Sequence, residues 1–228
     1  MKNLVTKDQW NSARVDLLEK EKELTRIRDE VARARREMPW HLVEKDYLFS
    51  GPGGECTFQD LFGSKSQLVI YHFMFGPGWE EGCKSCSFWA DQYDTVATHI
   101  AARDVAFAVV SRAPWQEFQP FKERMGWQFP WVSSSETSFN LDYQVSHPGA
   151  GQGVYNYDDT TVMEEMPGLS VFTKDDEGRI AHTYSCYSRG LDALNATYQI
   201  LDLVPKGRDE ESLDFTMSWV RHHDRYED

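Results

Sequence analysis

The chain has 228 residues, 40% hydrophobic and 27% charged, which is enough apolar material for one substantial core and excludes a disordered chain. A formal net charge of −13 opposes the phosphate neutralisation that broad nucleic-acid binding needs, and no apolar run approaches the roughly 20 residues of a membrane-spanning helix. Four cysteines are too few for a disulfide scaffold and residues 1–10 lack the apolar core of a signal peptide, so a reducing cytoplasm is the expected setting, with no nucleic-acid and no membrane partner.

Residues 1–40 read as a helical arm. Thr6 and Gln9 have the spacing of a capping box. Leu17, Leu24 and Val31 recur every seven residues, with Ile27 and Ala34 interleaved, and mark one apolar stripe on a helix that runs to Glu37. Arg35 and Arg36 suit the C-terminal end, where the helix dipole favours cations, and Pro39 stops the helix. At about 1.5 Å per residue the helix is ~45 Å long, too long to lie along one small domain. The stripe is therefore expected to meet a second copy in a homodimer; the alternative is a solvated amphipathic helix on its own domain.

Residues 41–204 pattern as an α/β body. A short strand at 47–50 precedes the turn Pro52-Gly53-Gly54, and a short helix follows at 57–62. Residues 68–75 are apolar on both faces, as a central strand is. Gly76-Pro77-Gly78 breaks that strand, Cys83-Lys84-Ser85-Cys86 follows, and a helix is expected over 87–101 with Trp89, Tyr93, Val96 and Ile100 on one face. A second buried strand at 105–110 completes a βαβ crossover. Pro114 opens the next helix and Gly126 ends it. Residues 127–132 read as a strand or extended turn, 138–143 as a helical turn, and 147–153 as a mobile Gly-rich loop. Strands at 169–173 and 179–184 flank Asp175-Asp176-Glu177-Gly178, the pattern of a hairpin. An amphipathic helix is expected over 191–204, stopped by Pro205. The tail, 205–228, contains Trp219, His222 and His223 and is expected to fold back onto the body with Trp219 as its anchor.

The chemistry concentrates at Cys83 and Cys86. A thiol at a helix N-terminus faces unsatisfied backbone N–H groups and the positive end of the dipole, and both stabilise the thiolate, which is the nucleophile. Cys83, ahead of the helix, is the expected nucleophile, and Cys86, in its first turn, the resolving thiol. Lys84 adds a cation, and Glu80 and Glu81 oppose it. Arg112 lies at the C-terminal end of the second buried strand, the edge that faces ligand crevices in open α/β sheets. It is a candidate for binding an anionic substrate group or a thiolate, with a structural carboxylate pair as the alternative. Trp79 is expected to shield the dithiol or to pack beneath its loop. His72 reads as a core histidine, and Cys56 and Cys186 as buried apolar thiols. A zinc site from Cys83, Cys86, His222 and His223 would need two adjacent histidines on one ion, so neither a metal nor another cofactor is expected.

The element order, with Cys-x-x-Cys between main strand and helix and a proline before a hairpin and closing helix, resembles the thioredoxin superfamily over 41–204. Longer strings narrow the resemblance: Glu44-Lys45-Asp46-Tyr47, the run 67–78 (QLVIYHFMFGPG), Ser111-Arg112-Ala113-Pro114, Phe129-Pro130-Trp131-Val132-Ser133, His182-Thr183-Tyr184-Ser185 and 219–224 (WVRHHD). They look like a bacterial thioredoxin-like family catalogued as a domain of unknown function, some members of which are labelled dithiol-disulfide isomerases. The resemblance implies a three-layer α/β fold around a central mixed sheet, with the long helix and the tail as additions. It implies a cis peptide at Pro167, beside the dithiol, where the backbone of Met166 can pair with an extended thiol substrate. The implied function is a thiol–disulfide oxidoreductase acting on a protein or small-molecule disulfide or thiol. The alternatives are a thiol peroxidase on the same fold and a non-enzymatic redox-sensing module. Gly82 stands where thioredoxin has Trp, and Glu80 where peroxiredoxins have Thr or Ser, so the marks of both are missing.

Overall fold

The structure is a computed structural model that describes residues 4–227. Residues 1–3 and 228, which belong to the expected arm and tail, lie outside the described residues. The chain divides into two units, 1–39 and 40–228.

The first unit is α1 (Lys7–Glu37). Thr6 and Gln9 close the capping box reciprocally: the Thr6 N–H donates to Gln9 Oε1 at 3.0 Å and the Gln9 N–H to Thr6 Oγ1 at 3.3 Å. Arg14 pairs with Glu21 at 2.7 Å and Lys22 with Glu19 at 2.8 Å. The chain turns extended at Met38, as the residue before a proline does. No residue of the helix is buried, and its stripe of Leu17, Leu24, Ile27 and Val31 is exposed.

The second unit opens with β1 (His41–Leu42), the hairpin β2 (Leu48–Gly51) and β3 (Gly54–Thr57), and a 3-10 turn at Asp60–Phe62. Then come β4 (Gln67–His72), α2 (Lys84–Ala90), α3 (Tyr93–Ala101), β5 (Val105–Ser111), α4 (Trp115–Met125) and β6 (Trp131–Ser133). A short α5 (Phe139–Asp142) leads to β7 (Gly151–Tyr155) and β8 (Asp158–Val162), a separate hairpin. The chain continues as β9 (Gly168–Lys174), β10 (Ile180–Tyr187), a 3-10 segment at Ser188–Leu194 and α6 (Ala196–Leu201). Among the described residues, eight strands form one mixed sheet in the order β1-β10-β9-β4-β5-β6-β2-β3. The pairs β4–β5 and β5–β6 are parallel, and β4–β9 is antiparallel.

Because strand side chains alternate, β4 serves both faces. Tyr71 packs with the residues of α2, α3 and α4 on one side, and Leu68 and Ile70 pack with Phe62, Phe139 and Phe172 on the other. Both faces are covered, which makes this a layered α/β fold with a central mixed sheet. His72 lies on the second face, where its Nε2, Ser170 Oγ, Ser185 Oγ and His182 Nε2 form a chain of hydrogen bonds, each 2.7 Å. Burial, with His182 nearby, pushes the His72 pKa down to about 3, so the ring is neutral.

Three expectations are corrected. The helix over 87–101 is two helices, broken after Ala90. Side chains at the break are drawn into tertiary bonds: Asp91 accepts from Trp127 Nε1 at 2.9 Å, and Gln92 Oε1 accepts from the Ala196 N–H at 2.6 Å. The helix over 191–204 is likewise divided, because the Asn195 side chain caps α6 by accepting from the Tyr198 N–H at 3.0 Å. The Gly-rich loop at 147–153 contributes a paired strand, β7, turned into β8 at Asn156 and Tyr157, both at positive φ.

Phe172 has no exposed surface and meets Phe58 and Tyr143 edge-on at 4.9 and 5.2 Å. Phe172→Ala is expected to lower unfolding stability by about 3–5 kcal/mol, read as a shift of the urea midpoint.

Candidate active site

Cys83 is the N-cap of α2, and Cys86 is its third residue. The loop before them docks on the end of the main strand, where the Cys83 N–H donates to the Met74 carbonyl at 3.1 Å. Gly82 is required by packing. A Cβ there would lie 2.5 Å from the Phe73 ring and 2.7 Å from the Phe121 ring. No larger side chain fits at the position that precedes the first cysteine.

Cys83 is half-buried, and Cys86 is 2% exposed. The Cys86 thiol hydrogen-bonds to the Cys83 sulfur and is the main reason that the Cys83 pKa is held down, to about 7, against the opposing effect of burial. The Ser85 and Cys86 amides and the Ser85 hydroxyl add to this, although neither amide completes a capping bond to the sulfur. Cys86 moves the other way: burial pushes its thiol well above the ordinary range. Tyr71 lies beside Cys86, with its hydroxyl 3.3 Å from the Cys86 carbonyl. The pair is thus polarised into one acidic, half-buried thiol and one fully buried thiol that donates to it.

Two charged neighbours, Glu81 and Lys84, are engaged elsewhere. Glu81 pairs with Arg124 at 2.5 Å and with Arg225. Lys84 donates to the Ser218 carbonyl at 3.1 Å.

The other candidate residues divide. Pro167 lines the cavity that contains Cys83 and Cys86. Its peptide is trans, since no cis bond occurs among the described residues, and this corrects the expected cis turn. Bonds on both sides set the segment: the Met166 N–H donates to the Val145 carbonyl at 2.9 Å, and the Pro167 carbonyl accepts from Tyr155 Oη at 2.6 Å. Trp79 and Arg112 do not line that cavity. Trp79 packs on Phe75 and against Gly76. Arg112 donates to the buried Glu165 at 2.5 Å, and Glu165 also accepts from Ser146 at 2.6 Å.

Several residues at the site were not singled out from sequence. Tyr71, Met74, Trp89 and Leu191 line the cavity from the body, and residues 206–211 and 216–217 line it from the tail. His222 is buried, and its Nε2 lies 2.9 Å from the Gly82 carbonyl while its Nδ1 lies 3.0 Å from Arg124 Nη2. A guanidinium only donates and a carbonyl only accepts, so the proton sits on Nε2 and the ring donates to Gly82. In the sequence His222 stands out only as a zinc ligand to be weighed with Cys83 and Cys86 and as part of a tail expected to fold back; the hydrogen-bond partner that the structure gives it is 140 residues away.

A family described as a bacterial protein of unknown function (DUF899) matches residues 1–226. The chain belongs to that family. No curated protein matches it. Among solved structures, the chain is similar to the peroxidoxin BcpB from Mycobacterium tuberculosis, at 15% identity over 72% of this chain and 97% of that one, with a TM-score of 0.47. It is similar to a peroxiredoxin Q of Xanthomonas campestris at 14% identity, 72% and 97% coverage and a TM-score of 0.47. A hypothetical protein from Sinorhizobium meliloti 1021 is similar at 14% identity, 63% and 68% coverage and a TM-score of 0.38. No helix among the described residues of this DUF899 member is long and apolar enough to cross a membrane.

Only the thiolate reacts with alkylating agents, so Cys83 modification is expected to rise with pH through about 7 and then level off. Cys86→Ala removes the main cause of the lowered pKa and should move that midpoint up towards the ordinary thiol value of about 8.5. The check is iodoacetamide labelling from pH 5 to about 10, quantified at the Cys83 peptide.

Proposed function

We propose that the protein is a thiol–disulfide oxidoreductase in which Cys83 is the nucleophile and Cys86 the resolving thiol. The observation that carries this reading is the polarisation of the pair: the Cys83 pKa held down to about 7 and the Cys86 thiol pushed up by burial. The Cys83 thiolate attacks one sulfur of a substrate disulfide and releases the other half as a thiolate. Cys86 then gives its proton to the leaving thiolate, attacks the Cys83 sulfur and releases the second half. Cys86 is buried against Cys83, which suits a group whose only reaction partner is its neighbour. Pro167 borders the space in which the mixed disulfide would lie. The chemistry as a reductase belongs in a reducing cytoplasm, which keeps the dithiol charged.

In Cys86→Ser, a substrate disulfide such as bis(2-hydroxyethyl) disulfide is expected to stop at a mixed disulfide on Cys83, seen as an adduct by intact mass. Cys83→Ser should form no adduct at the active site. If Cys83→Ser still reduces disulfides at the wild-type rate, the assignment is wrong. If hydrogen peroxide is consumed faster than disulfides, leaving a sulfenic acid on Cys83, a thiol peroxidase replaces it.

The exposed stripe of α1, with Leu24 47% and Ile27 49% exposed, supports pairing with a second copy through this helix. Sedimentation at micromolar concentration should give twice the 26.4 kDa chain mass, and a monomer alone would exclude the dimer.

A further inference from the structure

The dithiol shares a cavity of about 770 Å3 with a wall made by the chain's own tail. That volume is within the roughly 300–1,000 Å3 of small-molecule sites. The tail wall is fastened at several points. The Glu210 carboxylate accepts from Tyr198 Oη at 2.8 Å, from the Met217 N–H at 3.1 Å and from Trp219 Nε1 at 2.6 Å. Lys84 holds the Ser218 carbonyl at 3.1 Å, and Val220 is fully buried. A disulfide on a folded protein must bring flanking backbone up to the attacking sulfur, and residues 206–211 and 216–217 occupy part of the space that such backbone would need.

The cavity wall is mixed in chemistry. Met74, Trp89 and Leu191 share an apolar cluster with Cys86, and Cys83 and Met217 pack against it. Charges of both signs complete the lining, Arg189, Asp192 and Asp202 from the body and Lys206, Arg208, Asp209, Glu210 and Glu211 from the tail. Arg208 and Glu210 are consumed internally, Arg208 by Asp192 at 3.0 Å and Asp202 at 2.8 Å. Lys206, Asp209 and Glu211 are exposed, and no hydrogen bond or ion pair engages their side chains among the described residues. An apolar zone around a reactive sulfur, bordered by available charges of both signs, suits a small disulfide whose arms carry both carboxylate and ammonium groups.

We propose that the substrate is a low-molecular-weight disulfide with carboxylate- and ammonium-bearing arms, selected by Lys206 and by Asp209 and Glu211, and that the tail wall excludes disulfides of folded proteins. This rests on the thiol–disulfide reading above. The reaction is a balanced two-electron exchange: the reduced dithiol and RS–SR give the Cys83–Cys86 disulfide and two RSH. The substrate S–S bond breaks as the protein S–S bond forms, and the two thiol protons pass to the products.

The test mixes reduced full-length protein with oxidised glutathione, with bis(2-hydroxyethyl) disulfide, whose arms are neutral, or with insulin as a protein disulfide. Formation of Cys83–Cys86 is read by acid quench and peptide mass, and each rate is divided by that of dithiothreitol with the same oxidant. Oxidised glutathione is expected to exceed bis(2-hydroxyethyl) disulfide by about fivefold on this relative scale, and insulin to fall below both. Lys206→Glu, and separately Glu211→Lys, should each lower the ratio of the glutathione rate to the neutral-disulfide rate about two- to threefold. Both positions are exposed, and an unchanged urea midpoint verifies that each variant is folded. Equal relative rates for the two small disulfides, or insulin as the fastest, would overturn the substrate class while leaving the dithiol chemistry intact. Failure of every oxidant to form Cys83–Cys86 would instead bring down the oxidoreductase reading, and this proposal with it.

Discussion

The peptide unit that joins Gly82 to Cys83 is gripped from both sides. Its N–H is bonded to the carbonyl of Met74, at the end of the main strand, and its C=O to the ring of His222, in the tail. Cys83 therefore hangs from a peptide plane with both polar groups satisfied by distant parts of the chain. Around that plane the packing is tight enough that Phe73 and Phe121 leave no room for a side chain at 82. The Cys83 sulfur can then meet the Cys86 thiol in a fixed geometry. The shift in acidity follows from this placement, because a hydrogen bond to a thiolate is effective only when donor and acceptor are held together.

The sheet provides the rigidity that this arrangement needs. Trp131 is 1% exposed and stacks on Phe118 at 4.6 Å, and Phe73, Phe75 and Trp127 gather round the same ring. These aromatics link the end of β4 to α4 and so fix the ground on which the dithiol loop rests. Arg112 and Glu165 join the loop after β5 to the segment before β9. Burial raises the Glu165 pKa, while Ser146 and Arg112 favour the ionised form. A half-buried arginine paired with a buried carboxylate ties these loops together beside Gly76 and Trp79.

The features that sequence made legible are those with local causes. The capping box of α1, the apolar run of β4, Gly126 at the end of α4 and the turn at 175–178 each depend on residues close in the chain. The same holds for Cys83 at the start of α2. The features that escaped have distant causes. The break between α2 and α3 exists because Asp91 and Gln92 bond to Trp127 and Ala196, and no propensity records that. Gly149, Gly151 and Gly153 suggest a loop, yet a Cβ at Gly153 would lie 2.9 Å from Val162, so this glycine admits close strand pairing. Pro167 was legible as a neighbour of the dithiol but not in its isomer, which goes with a bond to Tyr155 from a hairpin that had read as loop.

The distance along the chain between Gly82 and His222 also has a temporal meaning. A ribosome that adds about 5–20 residues per second needs on the order of ten seconds to pass from one to the other. During that interval the strand and helix on either side of the dithiol can already be paired, while the Gly82 carbonyl still faces water. The newborn chain therefore carries Cys83 and Cys86 before it carries the ring that holds their loop. Synthesis through His222 supplies that hydrogen bond.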